Sequence, residues 1–133
     1  MAKLADFNTR DRAEEGVKLD LLLPDGTESG EWVQVRSYRS TIAQKARYEV
    51  ERQRAEKGER ITFEEGQALE AKGRAALVKA WSFEDACTPD NVAAWLLSSE
   101  LVSQAIIVAA TQDERFFGKP STDSSAGPKA KSA

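Results

Sequence analysis

The sequence contains no histidine and only one cysteine, Cys87, among its 133 residues. Without imidazole, neither a Ser-His-Asp nor a Cys-His nucleophile system can be assembled, and a zinc site with a histidine ligand is excluded as well. A lone thiol cannot close an intrachain disulfide, so nothing in the chain calls for an oxidising compartment. With no histidine to activate it, Cys87 reads as a small buried hydrophobe. Long apolar runs are missing too. The best, Ala105 to Ala110, falls far short of the about 18 residues a membrane span needs. The N-terminus, Met-Ala-Lys-Leu-Ala-Asp, has no hydrophobic signal core. These absences predict a soluble intracellular protein that is not an enzyme and uses no metal or cofactor.

Bulky apolar side chains are scarce. Hydrophobic residues make up 41% of the chain, but 20 of them are alanine, and Leu, Ile, Val and Phe number only 27. That is about a fifth of the residues, the level at which burial barely offsets the entropy of ordering, although a net charge of −3 is too small to force disorder. The apolar material must therefore be concentrated. Arg39 to Ala80 carries seven large aliphatic or Phe side chains, whereas Trp81 to Phe117, counting Trp, carries thirteen. From Gly118 onward there is none, and the spacing and composition predict one domain over 1–117 followed by a disordered tail over 118–133.

Within that domain, Asn8 to Glu15 reads as a short helix that Gly16 can end with positive φ. Val17, Leu19, Leu21 and Leu23 then recur with period two, and Val33 and Val35 alternate with Trp32, Gln34 and Arg36. With the turn residues Pro24-Asp25-Gly26 between them, these runs predict a β-hairpin over about 17–37 with a connection from Pro24 to Gly30. An isolated hairpin is marginal in water, so it must lie on helices or pair with another chain. Ser40 starts a charged helix to about 58, with Ile42, Ala46 and Val50 as its apolar stripe. Thr62-x-x-Glu65 is a capping box opening a helix to about 80. Thr88-Pro89 opens a helix over 89–97. A last helix over 99–115 carries Leu101, Val102, Ala105, Ile106 and Ala109. The expected fold class is α+β, mostly helical, with the hairpin packed on four to five α-helices.

Motifs with chemistry are absent. There is no G-x-x-x-x-G-K-[ST] loop, and Gly26 to Gly30 is turn chemistry. No calcium-loop spacing occurs, and Glu14-Glu15 and Glu64-Glu65 fit helix surfaces and first turns. Lys45 to Arg60 holds six basic residues, but four glutamates are interspersed and compete with phosphate, so a solvated helix face accounts for it better than nucleic acid. The aromatics are the remaining lead. Trp81, Phe83, Trp95, Phe116 and Phe117 gather in the last third, as fillers of a small core or as a surface for a partner. Phe116 and Phe117 are adjacent and point about 100° apart on a helix, which leaves one of them exposed.

The ordered layout of these features over about residues 7 to 117 resembles the small tail assembly chaperones of long-tailed bacteriophages, encoded upstream of the tape-measure protein. The resemblance is carried by the helix closing at Gly16, the turn Pro24-Asp25-Gly26, and the charged helix from Ser40. It continues with the alanine-rich helix ending in Trp81, the start Thr88-Pro89-Asp90-Asn91-Val92, the Leu101-anchored last helix and Phe116-Phe117. It implies a non-catalytic protein of the host cell cytoplasm that coats the tape-measure protein before the tail tube polymerises, and that is absent from the finished virion. It further implies a longer frameshifted form. A second copy of the chain is a separate candidate partner, and no membrane is expected. A structural virion component, such as a minor tail or head–tail joining subunit using its hairpin edge in a ring, stays open beside it. A nucleic-acid-binding regulator is a distant third.

Overall fold

A computed structural model describes residues 1–118; the tail expected to be disordered lies, from 119 onward, outside the described residues. Alternation of apolar and polar side chains produces strands β1, Val17–Leu22, and β2, Glu28–Val35, which pair antiparallel with Val17 opposite Val35 and Leu19 opposite Val33. The turn between them is tighter than the expected Pro24 to Gly30. Leu23 and Thr27 close it through a 2.8 Å bond, and the Asp25 carboxylate accepts from both the N–H and the hydroxyl of Thr27. Strand β2 begins early because Ser29 donates to the Leu21 carbonyl across a register shift between Asp20 and Leu22.

The hairpin does not stand alone. The helix expected from 62 to 80 ends at Ala75, and Val78–Trp81 forms a third strand, β3, on the far side of β2. Val33 faces Trp81, Gln34 faces Ala80 and Val35 faces Val78. The free N–H of Arg36 takes the Leu77 carbonyl at 2.7 Å, and that of Ser82 takes Trp32 at 3.0 Å, so the backbone groups of β2 are satisfied on both sides. Helical continuation past Ala75 would leave them unpaired.

Among the described residues, six α-helices complete an α+β, mostly helical fold: α1, Arg10–Glu15; α2, Thr41–Lys57; α3, Phe63–Ala75; α4, Pro89–Leu97; α5, Glu100–Thr111; and α6, Asp113–Phe117. Their starts follow local chemistry. Ser40 accepts from the Ala43 N–H, Thr62 and Glu65 cap each other reciprocally, and Thr88 accepts from Asn91 with Pro89 in the first turn. The helix expected over 99–115 is two helices, because Gln112 leaves the helical region with a ψ of 89°. That break turns α6 back toward α1, buries Phe116 and lets Asp113 meet Arg39.

The core lies under one face of the sheet. Val33 and Val35 are fully buried against Val92 and Leu96 of α4, Ile106 and Ala110 of α5, and Ala75 and Leu77 at the end of α3. Helix α2 contributes little: Ala43 is its one buried residue, and Ile42, expected on the apolar stripe, is exposed. Leu101, expected in the core face of α5, is 66% exposed and Ala105 is exposed too, whereas Ile106 and Ala109 are buried as expected, together with Ser103 and Ala110. Helices α2 and α3 approach closely because Gly73 has no side chain; a Cβ there would press on Val50.

Gly16 is the tightest backbone point. Its φ of 82° and ψ of −175° suit glycine alone, and a Cβ would collide with the Val35 carbonyl. Gly16→Ala should therefore cost about 2–3 kcal/mol in urea unfolding, whereas Gly26→Ala, with positive φ but open space, should cost about 1 kcal/mol or less. Acid stability has its own signature. Hydrogen bonding from Arg39 holds Asp113 below its ordinary value, and hydrogen bonding from Lys57 and then Thr62 does the same for Glu65. Both titrate lower folded than unfolded, so their stabilisation is complete above the usual carboxylate range and fades as pH falls through the depressed values. Urea midpoints followed from pH 7 downward should fall less steeply in Asp113→Asn and Glu65→Gln than in the unaltered chain.

Candidate partner-binding site

Three of the five aromatics read from the sequence converge. Trp81 ends β3 on the core side, Phe83 sits in the following turn, and Trp95 projects from α4, one helical turn after Val92. Their ring centroids are 5.3 Å apart for Trp81 and Phe83, 5.5 Å for Trp81 and Trp95, and 5.2 Å for Phe83 and Trp95. All three contacts are edge to face, the arrangement that sets the positive rim of one ring on the negative face of the next. The turn is locked around them. Trp81 Nε1 donates to the Asp85 carbonyl at 2.7 Å, and the Ser82 hydroxyl accepts from Trp32 N–H while donating to Glu31. The triad is half-buried and rests on the core.

Phe116 and Phe117 are not part of it. They lie 5.9 Å apart on α6, which packs against α1. Neither is fully exposed as their adjacency suggested: Phe116 is buried and Phe117 half-buried, because the break at Gln112 folds the short helix inward.

Beside the triad runs an apolar groove of about 440 Å³ between the hairpin turn and the corner joining α4 to α5. Leu21, Leu22, Leu23 and Pro24 form one wall, Leu101 and Val102 the other, and Phe83 and Trp95 line it from the triad. Leu22, Leu23 and Leu101 are exposed large hydrophobics, and Leu97 on the last turn of α4 is another. Two carboxylates, Glu31 and Glu100, stand at this groove. In general, contiguous apolar patches rimmed by charge are where proteins meet other molecules, which makes this groove the candidate site. The leucines were missed as site residues. The signal was present in Leu21-Leu22-Leu23, since a strand that alternates faces cannot bury three in a row.

Groups with reactive chemistry are sparse by comparison. Among the described residues, no three His, Cys, Asp or Glu side chains converge as a metal cluster. Burial pushes the half-buried Cys87 thiol up, with Arg36 opposing, which disfavours the nucleophilic thiolate. On α2, Arg52 is shared by Glu49 and Glu56, and Lys57 pairs with Glu65 of α3. These pairings fit the reading of α2 as a solvated face. Among the described residues, no single helix is long and apolar enough to cross a membrane.

The triad and the groove leucines should separate in mutagenesis. Trp95→Ala should lose about 3 kcal/mol of unfolding free energy, because it empties the centre of the triad. Leu22→Ala and Leu101→Ala should stay within about 0.5 kcal/mol of the parent, since their side chains already face water. Comparison of the chain with family models, curated proteins and solved structures finds no match.

Proposed function

We propose that this chain is a non-catalytic tail assembly chaperone, and that its groove holds an apolar helical stripe of the tape-measure protein until tail-tube subunits take over. The reading is carried by one observation, the leucine-lined groove beside Phe83 and Trp95 with Leu22, Leu23 and Leu101 exposed on its walls. An amphipathic helix presents apolar anchors every three or four residues, and a trough of this shape accepts such a stripe. Glu31 and Glu100 favour a segment with basic residues beside its apolar face. Each well-buried aliphatic anchor contributes about 1.5–3 kcal/mol, and association costs at least about 4 kcal/mol, so two or three anchors give a weak, reversible complex. Weak binding suits a chaperone that must be displaced. The lack of histidine and the raised thiol of Cys87 support a role without catalysis; a place in the host cytoplasm follows only from the proposed role itself.

A second reading, a structural virion component, draws on the open edge that β1 leaves on the sheet. Mass spectrometry of purified particles separates the two: the chaperone should be missing, and stoichiometric presence would favour the virion component.

Co-expression should keep an otherwise insoluble tape-measure fragment in the supernatant. The double variant Leu22→Asp/Leu101→Asp, which alters only exposed positions, should fold normally and lose that effect. A fragment that precipitates equally with and without the chain would sink the chaperone reading, and full protection by the double variant would move the contact away from the groove.

A further inference from the structure

We propose that β1 pairs antiparallel with β1 of a second copy about a two-fold axis through Leu19, joining two three-stranded sheets into one of six strands. This stands apart from the chaperone reading. The sheet order β1-β2-β3 leaves β1 at an edge. Which of its backbone groups are free follows from β2. Trp32 and Arg36 bond toward β3, through Ser82 and Leu77, and successive residues of a strand direct their N–H and C=O to opposite neighbours. Val33 and Val35 therefore bond toward β1, taking up the backbone of their partners Leu19 and Val17. Among the described residues, the N–H and C=O of Lys18 and Asp20 are left facing the open edge.

Two copies can join these groups only in registers that set even-numbered residues opposite one another. Centring the axis on Lys18 puts two ammonium groups face to face, and centring it on Asp20 does the same for two carboxylates. Moving it on to Leu21 places Asp20 opposite Leu22. With the axis at Leu19, each Lys18 lies opposite Asp20 of the second copy, and each of these two pairs exchanges both of its backbone hydrogen bonds. Both side chains are exposed and on the same sheet face, so the charges meet twice. The Lys18 ammonium, which lies 5.3 Å from the Trp32 ring centre, needs only to swing along that face. On the other face, Leu19 meets Leu19 and Val17 meets Leu21, which covers the half-buried Val17 and Leu19 at the sheet margin. Charge, hydrogen bonding and apolar cover thus select one register.

Sedimentation velocity of the full chain over a range of concentrations should show a reversible dimer. Lys18→Asp and Asp20→Lys each set like charges opposite one another twice, and each alone should weaken association about tenfold or more. An equimolar mixture of the two single variants restores opposite charges at both positions and should recover the dimer as a heterodimer. Circular dichroism checks that each variant is folded. A monomer at every concentration, a dimer indifferent to either reversal, or single variants that stay apart on mixing would each overturn the pairing. None of these outcomes bears on the groove, since the measurement uses the chain without any tape-measure fragment.

Discussion

Concealing Val33 and Val35 is the constraint on which the rest of the molecule depends. They sit on the central strand, are wholly removed from solvent, and have no cover from the hairpin itself. Helices α4 and α5 supply it from below with Val92, Leu96 and Ile106, and β3 closes the free side of β2. The consequences reach the surface. Pairing Val33 with Trp81 fixes one member of the aromatic triad, and burying Val92 and Leu96 sets the face of α4 from which Trp95 projects. The groove beside them is formed where the hairpin turn overhangs the α4–α5 corner. Its position is a by-product of how the valines are hidden.

Features governed by neighbouring residues were legible in the sequence. The caps at Ser40, Thr62 and Thr88 need only a side-chain oxygen and an N–H three residues on, and each bond forms. Strand β3 was not legible. Val78-Lys79-Ala80-Trp81 follows an alanine-rich helix with no proline or glycine between them, and its extended form comes from pairing with residues more than forty positions earlier. The break at Gln112 is similar. No local breaker occurs there, and what favours it is burial of Phe116 and the reach of Asp113 to Arg39, both tertiary effects.

The candidate site was half legible for a related reason. Composition can show that aromatics gather in the last third, and Trp81, Phe83 and Trp95 do meet. It cannot show that Phe116 and Phe117 are drawn to α1 instead. The groove leucines failed from the opposite error. In a chain so poor in bulky aliphatics, each one is expected inside, so Leu101 was assigned to the core of α5 when small residues fill that place. Ala109, Ala110 and Ser103 let α5 lie close to its neighbours, and the leucine is left over for the surface. Abundant alanine and exposed leucine are two sides of one packing solution.

A chain that displays leucines and an open strand edge needs some defence against indiscriminate association. Helix α2 provides part of it through a long, charged, ion-paired face with almost nothing buried. The edge is defended by Lys18 and Asp20, whose charges penalise a foreign strand that brings apolar or like-charged residues opposite them. A uniform edge of lysines would repel every partner, a second copy included. Alternating the sign at two positions separated by one residue is different, because reversing the strand direction exchanges the two positions. The same two side chains then reject most sequences and most registers while accepting their own image, so that a guard against aggregation and a specification for pairing can reside in one short strand.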